Sequence, residues 1–204
     1  MKKRYKVVWI AGLLLICAVM RMQQVEAKAD AAQERLSGVV FRFHVLANSD
    51  SKEDQEQKLK VRDAVVAYMR EQLPEAENAA ETKVWAIRHL DELTEVAEDV
   101  LAENGSKDTV QAEVIRCEFP EKTYGEVTLP AGWYDALRIK IGKAKGHNWW
   151  CVLYPNLCFT DSVHAVVPKE SKEELQTVLT DEEYAMLIKG SQIKIKWFFL
   201  QSGK

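Results

Sequence analysis

VVFRFHVLANSDSKEDQEQKLKVRDAVVAYMREQL, residues 39–73, holds a strand, a turn and a helix in immediate succession. Val39, Phe41, Phe43 and Val45 alternate with Arg42 and His44, the period of a strand with one apolar and one polar face. Ala47-Asn48-Ser49-Asp50-Ser51 then breaks the pattern with side chains that bond their own backbone. A helix is expected over residues 52–73. Asp50 or Ser51 can cap it, and Glu53 and Asp54 suit the positive end of its dipole. Val61, Val65, Met69 and Leu73 recur every four residues and give it a buried stripe. Arg62 falls inside that stripe, where a cation either reaches out to water or finds a carboxylate.

A second helix is expected over residues 78–103, with Ile87, Leu90, Ala97 and Leu101 inward and Asn104-Gly105 as its stop. Leu73-Pro74 separates the two helices, which predicts a helical pair lying on a sheet. His89 falls off the inward face and is expected in solvent. Strands follow at residues 109–119, 126–129 and 134–141, with turns at 122–125 and 130–132. Leu137, Ile139 and Ile141 oppose Arg138 and Lys140 in the last of these. Further strands are expected at residues 163–167 and 193–199. Ser171 with Glu174, and Thr180 with Glu183, have the spacing of capping boxes opening two short helices. The expected fold class is α+β: a mixed or mainly antiparallel sheet with a helix pair packed on one face, after an N-terminal signal segment.

That segment has its own signature. Lys2, Lys3, Arg4 and Lys6 precede an unbroken apolar run of 14 residues, from Val7 to Met20. A membrane span needs about 20 residues, so the run suits a secretory signal, and Ala27, Ala29 and Ala31 offer small-residue cleavage sites. The division is therefore 1–29 signal peptide or N-terminal anchor, 30–38 linker and 39–204 a single extracytoplasmic domain. Basic residues before the run place that domain outside the cytoplasm. Without residues 1–27 the chain has 23 basic and 30 acidic residues. Such a body lacks the basic footprint of a nucleic-acid binder, and the membrane is expected to be touched only through the N-terminal segment.

Rare, reactive side chains concentrate in residues 142–164: His147, Asn148, Trp149, Trp150, Cys151, Cys158 and His164. A disulfide between Cys151 and Cys158 would close an eight-residue loop, a stabilisation of about 2.5 kcal/mol in the chain-entropy description, in a compartment that tolerates it. Cys117 is then either unpaired or the true partner. His147, Cys151, Cys158 and His164 have zinc-ligand chemistry, but their spacing matches no standard zinc pattern, and no metal or other cofactor is expected. A cysteine hydrolase would use Cys151 as nucleophile, His164 as base and Asp161 to orient it. In a strand Trp149 and Trp150 point to opposite faces, and the outward one would serve as an aromatic anchor for a partner.

Three segments resemble the stage II sporulation protein R family of endospore-forming bacteria. They are Phe41-Arg42-Phe43-His44-Val45-Leu46-Ala47-Asn48-Ser49-Asp50-Ser51 continuing through Asp54-Gln55 to Val65, then Tyr124-Gly125 with Leu129-Pro130-Ala131-Gly132, Tyr134 and Ala136-Leu137-Arg138, then Asn148-Trp149-Trp150-Cys151-Val152-Leu153-Tyr154-Pro155 with Leu157-Cys158-Phe159. Asn156 stands where the family more often has a second proline. The resemblance implies a sporulation signal, not an enzyme. Such a protein is made in the forespore, exported into the space between the two membranes, and activates a membrane-embedded aspartic protease of the mother cell. That protease removes the pro-sequence of the early mother-cell sigma factor. Residues expected at the partner contact are Asn148, Trp149, Trp150, Arg62, His44 and Arg42.

Overall fold

The computed structural model describes residues 2–73, 76–155 and 169–189. The strand-turn-helix succession forms as its alternation and caps require. β1 is Phe41–Leu46 and α2 is Lys52–Gln72. The Ser51 side chain accepts a hydrogen bond from the Asp54 amide at 3.1 Å and caps α2. Val61, Val65 and Met69 are buried along its inner stripe.

The second expected helix is two. α3 spans Ala79–Arg88 and α4 spans Leu90–Glu103, separated at His89, whose backbone (φ −114°, ψ 24°) leaves the helical region. The His89 ring stacks on Trp85 at 4.1 Å, and its Nδ1 lies 2.8 Å from the Trp85 carbonyl oxygen. It is half-buried at a helix break, not simply solvated. The buried positions become Ala79, Thr82 and Ala86, then Leu93, Ala97 and Leu101, which leaves Ile87 exposed against expectation.

The main sheet has the order β2-β5-β1-β6, with β2 Val110–Phe119, β5 Gly132–Ile141 and β6 Asn148–Tyr154. β2 pairs antiparallel to β5, β5 parallel to β1, and β1 antiparallel to β6. The sheet is therefore mixed and the fold is α+β. A separate hairpin, β3 Lys122–Tyr124 with β4 Val127–Leu129, leaves the end of β2 and returns into β5. The sequence places a turn at residues 122–125, but the turn sits only at Gly125-Glu126, with Gly125 at φ 55°.

Both faces of the sheet are covered. Phe41, Phe43, Val45, Leu137, Ile139, Ile141, Cys151 and Leu153 pack with α2, α3 and α4. The opposite face packs Val40, Phe119, Val127, Leu129, Tyr134, Ala136 and Val152 against residues of three further helices. These are α1 Lys2–Val39, α5 Lys169–Val178 and α6 Asp181–Lys189. The stretch expected to be a linker, 30–38, is the end of α1, and its Ala32, Leu36 and Ser37 are buried. Further back, Trp9, Ile10, Leu13 to Ile16, Val19, Met20 and Met22 are exposed. No helix among the described residues is long and apolar enough to cross a membrane.

Thr180 and Glu183 form the expected capping box at α6: the Thr180 amide donates to Glu183 Oε2 at 3.0 Å, and the Glu183 amide to Thr180 Oγ1 at 3.3 Å. Ser171 instead lies inside α5 and is buried. The strands expected at 163–167 and 193–199 lie outside the described residues.

Candidate functional site

The period-2 geometry of three neighbouring strands gathers the notable polar and aromatic side chains on the face away from α2, α3 and α4. His44 on β1 stands opposite Trp150 on β6 and Arg138 on β5; Arg42 stands opposite Val152 and Ala136. From β2, Cys117 and Phe119 reach the same face. The His44 ring stacks flat on Trp150 (4.8 Å, 5°) and lies 5.2 Å from Phe119. Its Nε2 lies 3.7 Å from Cys117 Sγ. Burial, with Arg138 and Arg42 adding to it, lowers the His44 pKa to about 4. Burial also pushes the Cys117 thiol above its ordinary value. At neutral pH the pair is a neutral thiol beside a neutral imidazole, not the thiolate–imidazolium pair of a cysteine hydrolase.

Arg42 is fully buried next to this pair. Its Nη2 donates to the Tyr124 hydroxyl at 2.8 Å, and its guanidinium lies 4.2 Å from the Phe119 ring centre and 4.9 Å from that of Tyr134. Arg42 and His44 are therefore interior groups (0% and 4% exposed), not the open polar strand face that their alternation suggested. The reason is a second covering layer, drawn from distant segments that no local pattern announces. Trp150, Asn148, Arg138 and Cys117 remain half-buried and are the part of the cluster that reaches the surface.

Trp149 lies on the other face. It meets Phe43 edge to face at 6.0 Å, and the Arg62 guanidinium rests 4.8 Å from its ring centre. Arg62 also pairs with Asp63 at 2.6 Å and keeps 14% side-chain exposure. It thus finds both a carboxylate and an aromatic surface within the helical stripe.

A clasp joins the turn after β1 to the loop before β6. Asn48 Nδ2 donates to Asp54 at 3.1 Å, while its Oδ1 accepts from the Lys143 amide at 2.9 Å. Gln55 Nε2 donates to the Ser49 carbonyl at 2.9 Å, and the Gly146 amide to the Ala47 carbonyl at 2.9 Å. Asp50 Oδ1 takes the His147 amide at 2.6 Å and lies 2.5 Å from His147 Nδ1; these contacts hold its carboxyl below its ordinary range. Lys58 Nζ donates to the His147 carbonyl at 3.0 Å. Asp50, Asp54 and Gln55 therefore fix where Asn148, Trp149 and Trp150 begin.

Cys151 is buried and disulfide-bonded, while Cys17 and Cys117 have free thiols. A hydrolase built on Cys151 thus lacks its nucleophile in this structure. Cys158, Asp161 and His164 lie outside the described residues. Among the described residues no three His, Cys, Asp or Glu side chains stand together as a metal site. Sequence reasoning missed Cys117, Tyr124, Tyr134 and Arg138 as parts of the cluster. Leu137-Arg138-Ile139 did carry a signal, since its parity sets Arg138 on the face of its β1 neighbour His44.

The fold and the cluster define a class: a small α+β domain whose distinctive residues form a packed, aromatic sheet face around a buried arginine. A family model described as stage II sporulation protein R matches residues 37–164, which include β1 to β6 and every element of the cluster. A protein named stage II sporulation protein R from Bacillus subtilis (strain 168) is 34% identical over 147 residues. That match covers 69% of this chain and 66% of the relative, so it spans just under two thirds of the relative's length. No solved structure matches. The chain belongs to the stage II sporulation protein R family.

Proposed function

We propose that this chain is an exported sporulation signal that activates a membrane-embedded aspartic protease of the mother cell by binding it. The consequence is removal of the pro-sequence from the early mother-cell sigma factor. Its place of action is the space between the forespore and mother-cell membranes, reached through the N-terminal segment. A ligand activates an enzyme only if it prefers the active arrangement, so binding and activation are one free-energy difference.

The observation that carries this reading is the state of the site. Residues from all three segments that carry the family likeness meet on one sheet face, yet its thiol and imidazole are both neutral and mutually packed. Such a face is suited to being recognised, with half-buried Trp150, Asn148 and Arg138 as the contact and Arg42 and His44 as its support. Arg62 and Trp149 would contribute from the opposite face. The disulfide at Cys151 fits an oxidising compartment, and we assign Cys158 as its partner.

The test is co-expression of this chain, the protease and the sigma-factor precursor in a host that does not sporulate, with immunoblotting for the shortened sigma factor. Shortening should require this chain, persist with Cys117→Ser and fall at least about tenfold with Trp150→Ala, the loss of one aromatic anchor. No shortening with all three proteins folded would overturn the proposal. A folded Cys117→Ser protein that abolishes shortening would replace it with thiol chemistry.

A further inference from the structure

Arg42 is the largest fully buried side chain among the described residues, and its charge has no counter-charge there. Its one hydrogen bond goes to a neutral phenol, and Nε and Nη1 have no acceptor. Burial pushes the Tyr124 and Tyr134 hydroxyls up, so neither supplies an anion near neutral pH. A buried cation without an anion is among the costliest arrangements in a protein. On the same face the His44 imidazole has the Asn148 side chain as its polar neighbour, so the unused donors are those of Arg42.

We propose that the Arg42 guanidinium, beneath the β3–β4 hairpin, is the binding site for a carboxylate. The Phe119 and Tyr134 ring centres lie 4.2 and 4.9 Å from the guanidinium carbon, while Nε and Nη1 have no acceptor. A flat monoanion matches a planar guanidinium with free donors and a single charge; a phosphate is larger and carries more charge than Arg42 balances. The cover is Tyr124, carried on the two-stranded hairpin that pairs with no strand of the main sheet. Admitting the ligand requires this hairpin to part from α6, because Val127 and Leu129 are packed in the core of the same face.

The probe is acetate. Thermal unfolding of the full chain is followed at pH 7 in increasing sodium acetate, against sodium chloride of equal ionic strength. The Tm should rise saturably, by about 3–5 °C at ten times the half-saturating concentration, and Arg42→Met should abolish the rise. An equal rise in both proteins is a general salt effect and overturns the proposal, as does no rise in the native sequence. Should Arg42→Met fail to fold, the His44 ring nitrogens of the unsubstituted chain report the same event by NMR. They should shift saturably with acetate and not with chloride; unmoved signals overturn the proposal.

Discussion

His44 shows how one side chain sets a pH dependence for the whole domain. Its pKa is near 4 when folded, against about 6.5 for a free imidazole. Between those values the unfolded chain binds a proton that the folded chain does not, so stability is complete above about pH 6.5 and falls as pH drops toward 4. The loss attributable to this residue approaches about 3 kcal/mol. Urea unfolding at pH 7 and pH 4.5 should show a smaller difference for His44→Gln than for the native sequence; equal differences would contradict the burial argument. Gly146 is the second case. A Cβ there would run into the Ser49 carbonyl oxygen and Ala47 Cβ, which are fixed by the clasp. Gly146→Ala should cost about 1–3 kcal/mol by denaturant unfolding, the range for forced overpacking.

Among the elements, α2 and its cap anchor the site, because the turn that caps α2 also holds the start of β6. Ser51→Ala removes the side-chain acceptor of the Asp54 amide and should lower stability by about 1 kcal/mol, seen as a shifted urea midpoint at unchanged slope. The elements with a strong period were legible in the sequence. The alternation of Phe41, Phe43 and Val45 fixed β1, the stripe of Val61, Val65 and Met69 fixed α2, and Thr180 with Glu183 announced α6. What was not legible depended on long-range packing. Polar alternation at Arg42 and His44 suggests solvent unless the covering layer from α1, α5, α6 and the hairpin is known. β3, at three residues, is too short to show a period. The break at His89, where the backbone leaves the helical region, is not announced by the helical period. Cys117 meets His44 only because β5 lies between their strands, a consequence of the mixed strand order.

At the scale of the molecule, the sheet separates two kinds of residue. One face is an apolar core shared with α2, α3 and α4. The other concentrates Arg42, His44, Cys117, Phe119, Tyr134 and Trp150 beneath residues of α1, α5, α6 and the hairpin. The central claim is that this second face acts by being bound. The most direct measurement adds the purified chain to vesicles holding the protease and the sigma-factor precursor, and follows the rate of shortening. The rate should rise saturably with added chain, without shortening when the protease is omitted, and Trp150→Ala should shift the curve to higher concentrations. No rise with folded components, or shortening by this chain alone, would contradict the account.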